Sequence, residues 1–364
     1  MKLTIDQPTL ANLISGPSSV VESKNTIPIL GHIKITAQDG AVSVTATDLD
    51  IEAVTSIASD VDKPGECTVP AKAFEAIIKR APKSCLVTLD YNGATLAISA
   101  GRSKFNIQTL PADTFPDLGD NQFSHTADIG AHEFLNLLNK TKFAMSTEEA
   151  RYYLNGVYLH NDDAGDLVAV ATDGHRLAKM TYATSVDVAG VIIPRKTVDR
   201  LSKILDDVDG DIKLETSETK MRVTGDGFSI TSKVVDGTFP EYSRVIPSSH
   251  KATMKVDAKE FSAATGQVAA IADAKSNGVK LSITDDTCSL YTQSALYGDA
   301  VSEISAEYDG EPMDIGFNSK YTSDFMSQAE SGVVSVGLNG SGDAALVWFD
   351  ECPEFVGVLM PVRI

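Results

Sequence analysis

The hydrophobic pattern of residues 191–205, VIIPRKTVDRLSKIL, changes period at Pro194. Before it, Val191, Ile192 and Ile193 form a short continuous apolar run, as in a buried strand. After it, Val198, Leu201, Ile204 and Leu205 recur at three- and four-residue intervals, which places them on one face of a helix. Residues 68–83, TVPAKAFEAIIKRAPK, give the same succession of strand, proline and amphipathic helix, with Pro70 lying 124 positions before Pro194. A third, weaker copy occupies 314–329, DIGFNSKYTSDFMSQA, where Phe317 stands for the proline and Asn318 is the expected N-cap.

The flanking segments repeat as well. Leu10, Leu13 and Ile14 fall on Phe134, Leu137 and Leu138 at an offset of 124, and residues 260–266 are a poorer third member. VTATDLDIEA (44–53) matches VAVATDGHRLA (168–178), with Asp48 on Asp173 at 125, and Phe115-Pro116 falls on Phe239-Pro240 at 124. Offsets that agree in the same order define tandem units of roughly 120 residues, an ordinary domain size. The expected domains are 1–122, 126–249 and 251–364. Within them, helices are expected at 8–15, 71–80, 133–143, 195–205 and 258–272. Alternating strands are expected at 33–36, 41–47, 51–58, 300–306 and 333–338, among others. A hairpin at 86–99 is closed by Asn92-Gly93, and 146–160 runs from an exposed loop into a strand. This is an α+β protein of three similar domains, ending in an apolar tail, VGVLMPVRI.

Charge complicates the picture. With 31 Lys and Arg against 50 Asp and Glu, the net charge is −19, which disfavours general adhesion to nucleic acid. Yet Lys72, Lys79, Arg80 and Lys83 stand on the first repeated helix against Glu75 alone, and Arg195, Lys196, Arg200 and Lys203 stand on the second against Asp199 alone. One basic helix reads as a solvated face. Two at equivalent positions read as a shared basic surface. The four cysteines, Cys67, Cys85, Cys288 and Cys352, have no CxxC spacing, so they signal neither a zinc site nor a disulfide framework and fit a reducing cytoplasm. No apolar run has the length of a membrane span, and the first ten residues lack signal-peptide character.

Motifs for phosphate loops, zinc proteases, serine hydrolases and dinucleotide folds are absent. The best catalytic candidate is ATDGHRLA (171–178), where Asp173, His175 and Arg176 invite comparison with acid–base chemistry in a hydrolase or transferase. Asp-Gly is first a turn, however, and no nucleophile or metal-ligand spacing accompanies it. A binding surface is the better expectation, with no cofactor and no metal.

The segments SKNTIPILGHIKI, TATDLDIEA, GECTVPAKAF, AGRSKFNIQTLPADTFPDL, ARYYLNGV, AVATDGHRLA, VIIPRK, DGTFPEYSRVIP and LMPVRI resemble the bacterial sliding-clamp family, the beta subunits of DNA polymerase III. The resemblance runs through all three units. It implies a non-enzymatic homodimeric ring of clamp domains, with helices lining a central hole and antiparallel sheets outside, that encircles double-stranded DNA without regard to sequence. It implies DNA contacts at Lys24, Lys72, Tyr152, Tyr153 and Lys196; Glu148 stands where some relatives carry a neutral amide. It implies a partner-peptide pocket of Leu154, Thr172, Gly174, His175, Arg176, Leu177, Pro240, Arg244, Val245, Val358, Met360, Pro361, Val362 and Arg363, with Arg176 and His175 as polar contacts at its rim. The implied occupants are the replicative polymerase alpha subunit, the clamp-loader delta subunit, and translesion and repair proteins. The implied dimer interface joins Arg102, Lys104, Phe105 and Ile107 to Ile271, Asp299 and Glu303, an acidic side sparser than in relatives. The implied setting is the cytoplasm, on the nucleoid.

Overall fold

A computed structural model describes residues 1–22, 26–119, 122–184, 186–273, 277–330 and 332–363. Among them are six α-helices: α1 (Gln7–Val20), α2 (Ala71–Arg80), α3 (Ala131–Thr141), α4 (Arg195–Leu205), α5 (Ala258–Ala269) and α6 (Ser319–Met326). The expected switch from strand to helix occurs three times. Strand Gly65–Pro70 runs directly into α2, and strand Val191–Pro194 into α4. Each helix begins at a proline whose missing N–H costs nothing there, since the first donors of a helix have no intrahelical acceptor. In the third copy, the Asn318 side chain accepts from the backbone N–H groups of Lys320 and Tyr321. The expected apolar stripes face inward: α2 buries Phe74 and Ile78, α4 buries Val198, Leu201 and Leu205, and α6 buries Phe325 and Met326.

The chain divides into two compact units, Met1–Leu135 with Val186–Val234, and Asn136–Ser185 with Val235–Ile364. In the first, a five-stranded antiparallel sheet has the order Val61–Lys63, Lys2–Asp6, Leu86–Tyr91, Thr95–Ala100, Ser103–Gln108. An eight-stranded antiparallel sheet has the order His125–Gly130, Asp211–Thr216, Lys220–Gly225, Phe228–Lys233, Ile51–Ala58, Ala41–Thr47, His32–Gln38, Gly65–Pro70. In the second unit, one sheet runs Gly156–Asn161, Leu167–Thr172, Arg176–Tyr182, Cys352–Leu359, Ala345–Phe349, Val333–Leu338, Ala252–Asp257, Glu307–Tyr308. A four-stranded sheet runs Gly298–Ser305, Thr287–Ser294, Gly278–Ile283, Met313–Asn318. The division passes through the middle repeat because that repeat shares strands with both neighbours. Its strand Phe228–Lys233 pairs with Ile51–Ala58 of the first repeat, Ile230 opposite Ala53. Its strand Arg176–Tyr182 pairs with Cys352–Leu359 of the third, Leu177 opposite Val358.

This pairing has a remainder. In each case the strand after the turn at Asp48 or Asp173 pairs with the last strand of the next repeat's final hairpin. The third repeat's counterpart of the first partner is Gly298–Ser305, and the first repeat's counterpart of the second is Ser103–Gln108. Both are sheet edges, each paired on one side only.

Several expectations need correction. Helix α1 does not stop near residue 15 but continues through Pro17. Proline removes the N–H that would bond the Leu13 carbonyl. The Thr55 hydroxyl, on strand Ile51–Ala58, donates to that carbonyl instead, so the interruption leaves no buried acceptor unsatisfied. Thr55→Val should therefore lower unfolding stability by roughly 1–2 kcal/mol, read from denaturant midpoints at unchanged slope. The segment expected as an exposed loop contains a 3₁₀ stretch, Glu149–Leu154, broken at Arg151 (φ −113°, ψ 49°). The apolar tail begins as the end of a strand, Cys352–Leu359, where Val358 and Leu359 are buried, and leaves regular structure at Met360.

Candidate functional site

The turn at 172–176 is built from its own side chains. Asp173 Oδ1 accepts from the N–H groups of His175 (2.9 Å) and Arg176 (3.0 Å), and Thr172 Oγ1 donates to the Arg176 carbonyl (2.6 Å). Gly174 has φ +87°, a conformation that favours glycine, and a Cβ there would displace the tip of the Arg151 side chain, 2.6 Å away. The second oxygen of Asp173 pairs with Arg176 Nε at 3.1 Å. Asp173 is thus a turn residue with both oxygens engaged, not a poised base.

Arg176 departs from expectation. Its side chain is only 10% exposed. It donates to Asp173, to Asp324 on α6, and to the Phe143 carbonyl (2.6 Å), and it lies over the Tyr321 and Phe143 rings at 4.4 and 5.4 Å. Such a guanidinium is a pillar of the site rather than a rim donor. His175 remains exposed, stacked beside Tyr321. Leu154, Leu177 and Val358 are buried, at 4%, 2% and 2% exposure. Leu177 and Val358 are paired across neighbouring strands, the Met360 backbone N–H donates to the His175 carbonyl at 2.9 Å, and Met360 stays 41% exposed. Val362 N–H bonds the Gly316 carbonyl at 2.8 Å, and Pro361, Val362 and Arg363 border a concavity of about 520 Å³ with Lys280 and Asp314. Val245 is exposed at 53%, and Arg244 is exposed beside it. Pro240 borders a different groove, with Tyr158 and Tyr242.

The candidate cations also differ from one another. Lys24 lies outside the described residues. Lys72 is exposed on α2 with no ion pair among the described residues. Lys196, expected to be free, is held by two carboxylates: Glu22 at 2.5 Å, and Asp48, whose side chain is 6% exposed. Burial acts to lower the Lys196 pKa, but hydrogen bonds to Asp48 and Glu22 outweigh it and hold the ammonium above the usual lysine value. Asp48 repeats the construction of Asp173: one oxygen accepts from Asp50 and Ile51 N–H groups, and the other holds a cation.

Tyr152 is 53% exposed and meets Tyr153 edge-on, centroids 5.8 Å apart. Both pack against Gly237. Glu148 forms an ion pair with Arg151 at 2.8 Å, which holds its carboxyl below the usual range.

Along the edge strand Ser103–Gln108, Phe105 is 37% exposed, Ile107 is half-buried, and Lys104 is exposed. Arg102 is exposed in the turn before it. Arg80 of α2 sits beside this edge, in a concavity of about 180 Å³ with Ile77, Pro82 and Phe105, rather than on the Lys72 side alone. On the other edge, Asp299 and Glu303 are exposed and alternate with Val301, 67% exposed; the preceding turn presents Leu296 and Tyr297 at 77% and 68%, and Ile271 is half-buried nearby in sequence to α5. The apolar trio Leu296, Tyr297 and Val301 escaped sequence reading. Its signal was an apolar pair in a turn whose counterparts carry Asp48 and Asp173.

Tandem repeats joined by continuous antiparallel sheets, with paired helices α1–α2 and α5–α6, define a clamp-type fold. The N-terminal, central and C-terminal domain signatures of the DNA polymerase III beta subunit match residues 1–119, 128–241 and 243–363, and the chain belongs to that family of sliding clamps. It is 38% identical to the beta sliding clamp of Caulobacter vibrioides, over the full length of both chains. Its structure matches a sliding clamp of Bartonella birtlesii bound to griselimycin, with TM-score 0.97 and 38% identity, and the DNA polymerase III beta subunit of Pseudomonas aeruginosa, with TM-score 0.95 and 32% identity; both alignments cover 100% of each chain.

Proposed function

We propose that two copies of this chain close into a ring around duplex DNA and tether the replicative polymerase, with domains 1–122, 126–249 and 251–364 and no catalytic activity of its own. The observation that carries the reading is the remainder in strand pairing. One type of junction occurs twice along the chain, and the two strands that would make a third are both free edges. A free edge invites another strand. Basic Arg102 and Lys104 on one edge complement acidic Asp299 and Glu303 on the other, and Phe105 and Ile107 supply apolar surface for Val301, Leu296 and Ile271.

Lys72, Tyr152 and Tyr153, with Lys24 and Lys196, are the proposed DNA contacts. Phosphate contacts carry no sequence information and suit a part that slides. The turn at 172–177 with Leu154, Pro240, Arg244, Val245 and the tail 358–363 is the proposed pocket for a peptide with apolar anchors. Its proposed sources are the polymerase alpha subunit, the clamp-loader delta subunit, and translesion and repair proteins; griselimycin on the Bartonella relative supports a peptide-binding pocket. Among the described residues no helix is long and apolar enough to cross a membrane. The proposed setting is the cytoplasm, on the nucleoid.

Sedimentation tests the closure. The wild type should sediment at twice the chain mass. Ile107→Asp should give a folded monomer, because association would bury an unpaired charge. A wild type that stays monomeric at micromolar concentration, or an Ile107→Asp dimer, would overturn the proposed interface.

A further inference from the structure

Bordered by Pro240 and otherwise apart from the surfaces above lies a groove of about 870 Å³ whose floor is aromatic. Tyr158 stacks on His160, with centroids 4.6 Å apart and planes at 20°, and on Phe239, at 5.0 Å and 13°. Tyr242 completes the floor, 5.7 Å from His160 and edge-on to Phe239. The ring nitrogens are spoken for. The Asn161 carbonyl can only accept, so His160 Nδ1 carries the proton (2.7 Å). Nε2 of the neutral ring then accepts from the Tyr242 hydroxyl (2.9 Å). Burial lowers the His160 pKa, which keeps the ring neutral; it also pushes the Tyr242 phenol up to about 12, helped by negative charge at Asp162 and Glu241. The floor is therefore stacked, hydrogen-bonded and uncharged, and the Tyr158 hydroxyl on it has no partner among the described residues.

The walls carry charge of one predominant sign: Asp162, Asp163 and Glu241 against Lys179. Asp162 spends one oxygen on the N–H groups of Ala164 and Asp166, and Glu241 one on the Ser243 hydroxyl, so each keeps a second oxygen outside these bonds. Asp163 is exposed and makes no ion pair among the described residues. Three carboxylates around an aromatic floor complement a cation with a flat or apolar body. Guanidinium meets both demands, pairing with a carboxylate while its plane lies on a ring.

We propose that this groove binds an arginine-rich segment of a partner protein. The inference goes beyond the clamp reading and does not depend on ring closure or on the pocket at 172–177.

Fluorescently labelled tetra-arginine is the probe, titrated by anisotropy against the full-length protein at moderate salt. Binding should weaken about tenfold in the double variant Asp163→Asn, Glu241→Gln. It should change less than about twofold in the double variant Asp60→Asn, Asp62→Asn, which removes the same charge from another exposed site, because screened long-range attraction alone discriminates little between positions. Equal losses in the two variants would reduce the effect to net charge, and no measurable binding to the wild type would exclude the site. Either result overturns the proposal.

Discussion

Lys196→Glu is expected to destabilise the fold by on the order of 3 kcal/mol, whereas Lys72→Glu should change stability by less than about 0.5 kcal/mol. Lys196 is the cation that compensates Asp48, a nearly buried carboxylate that also fixes its own turn. The glutamate would leave Asp48 uncompensated and place a third negative charge beside it and Glu22. Lys72 has no such neighbours, so its reversal should act on DNA alone, lowering affinity and flattening the dependence of binding on salt as fewer phosphate counterions are released. Denaturant melts of both variants, with DNA titrations at several salt concentrations, separate the two effects. If Lys196→Glu melts like the wild type, the ion pairs are not structural. If Lys72→Glu leaves the salt slope unchanged, α2 does not meet DNA.

Removing residues 360–364 is expected to weaken binding of a polymerase tail peptide by about a hundredfold and to leave the dimer intact. The tail is docked, not frayed: Met360 N–H bonds the His175 carbonyl and Val362 N–H bonds the Gly316 carbonyl. Its exposed Met360 side chain lies next to the turn whose floor is Leu177 and Val358. A partner side chain buried against it would contribute roughly 1.5–3 kcal/mol, and 2.7 kcal/mol corresponds to about a hundredfold. The edge strands Ser103–Gln108 and Gly298–Ser305 contain none of the deleted residues, so sedimentation should be unaltered. Equal peptide affinities for the full-length and shortened chains would remove the tail from the site.

What the sequence made legible was whatever repeats or is local. The strand–proline–helix succession, the inward stripes of α2 and α4, the Asn318 cap and the Asp173 turn all depend on neighbours a few residues away. The misreadings share the opposite cause. Lys196 looked free because Glu22 and Asp48 are distant in sequence. Arg176 looked available because Asp324, Phe143 and Tyr321 reach it from three other segments. The first helix looked shorter than it is, 8–15, because the hydroxyl that replaces the donor missing at Pro17 belongs to distant Thr55. Periodicity cannot report a partner supplied by another element, and each of these side chains takes its role from one.

The two free edges are not alike, and that has a consequence for assembly. A contact between Ser103–Gln108 of one copy and Gly298–Ser305 of the next is head-to-tail, so in a dimer it must occur twice, as two equivalent seams. Such a pair can part at one seam and stay joined at the other, swinging open like a bracelet without dissociating. The same geometry sets a hazard. A copy joined at one edge only still offers its other edge, so without the second seam successive copies would add end on end, and the product would be a filament instead of two monomers.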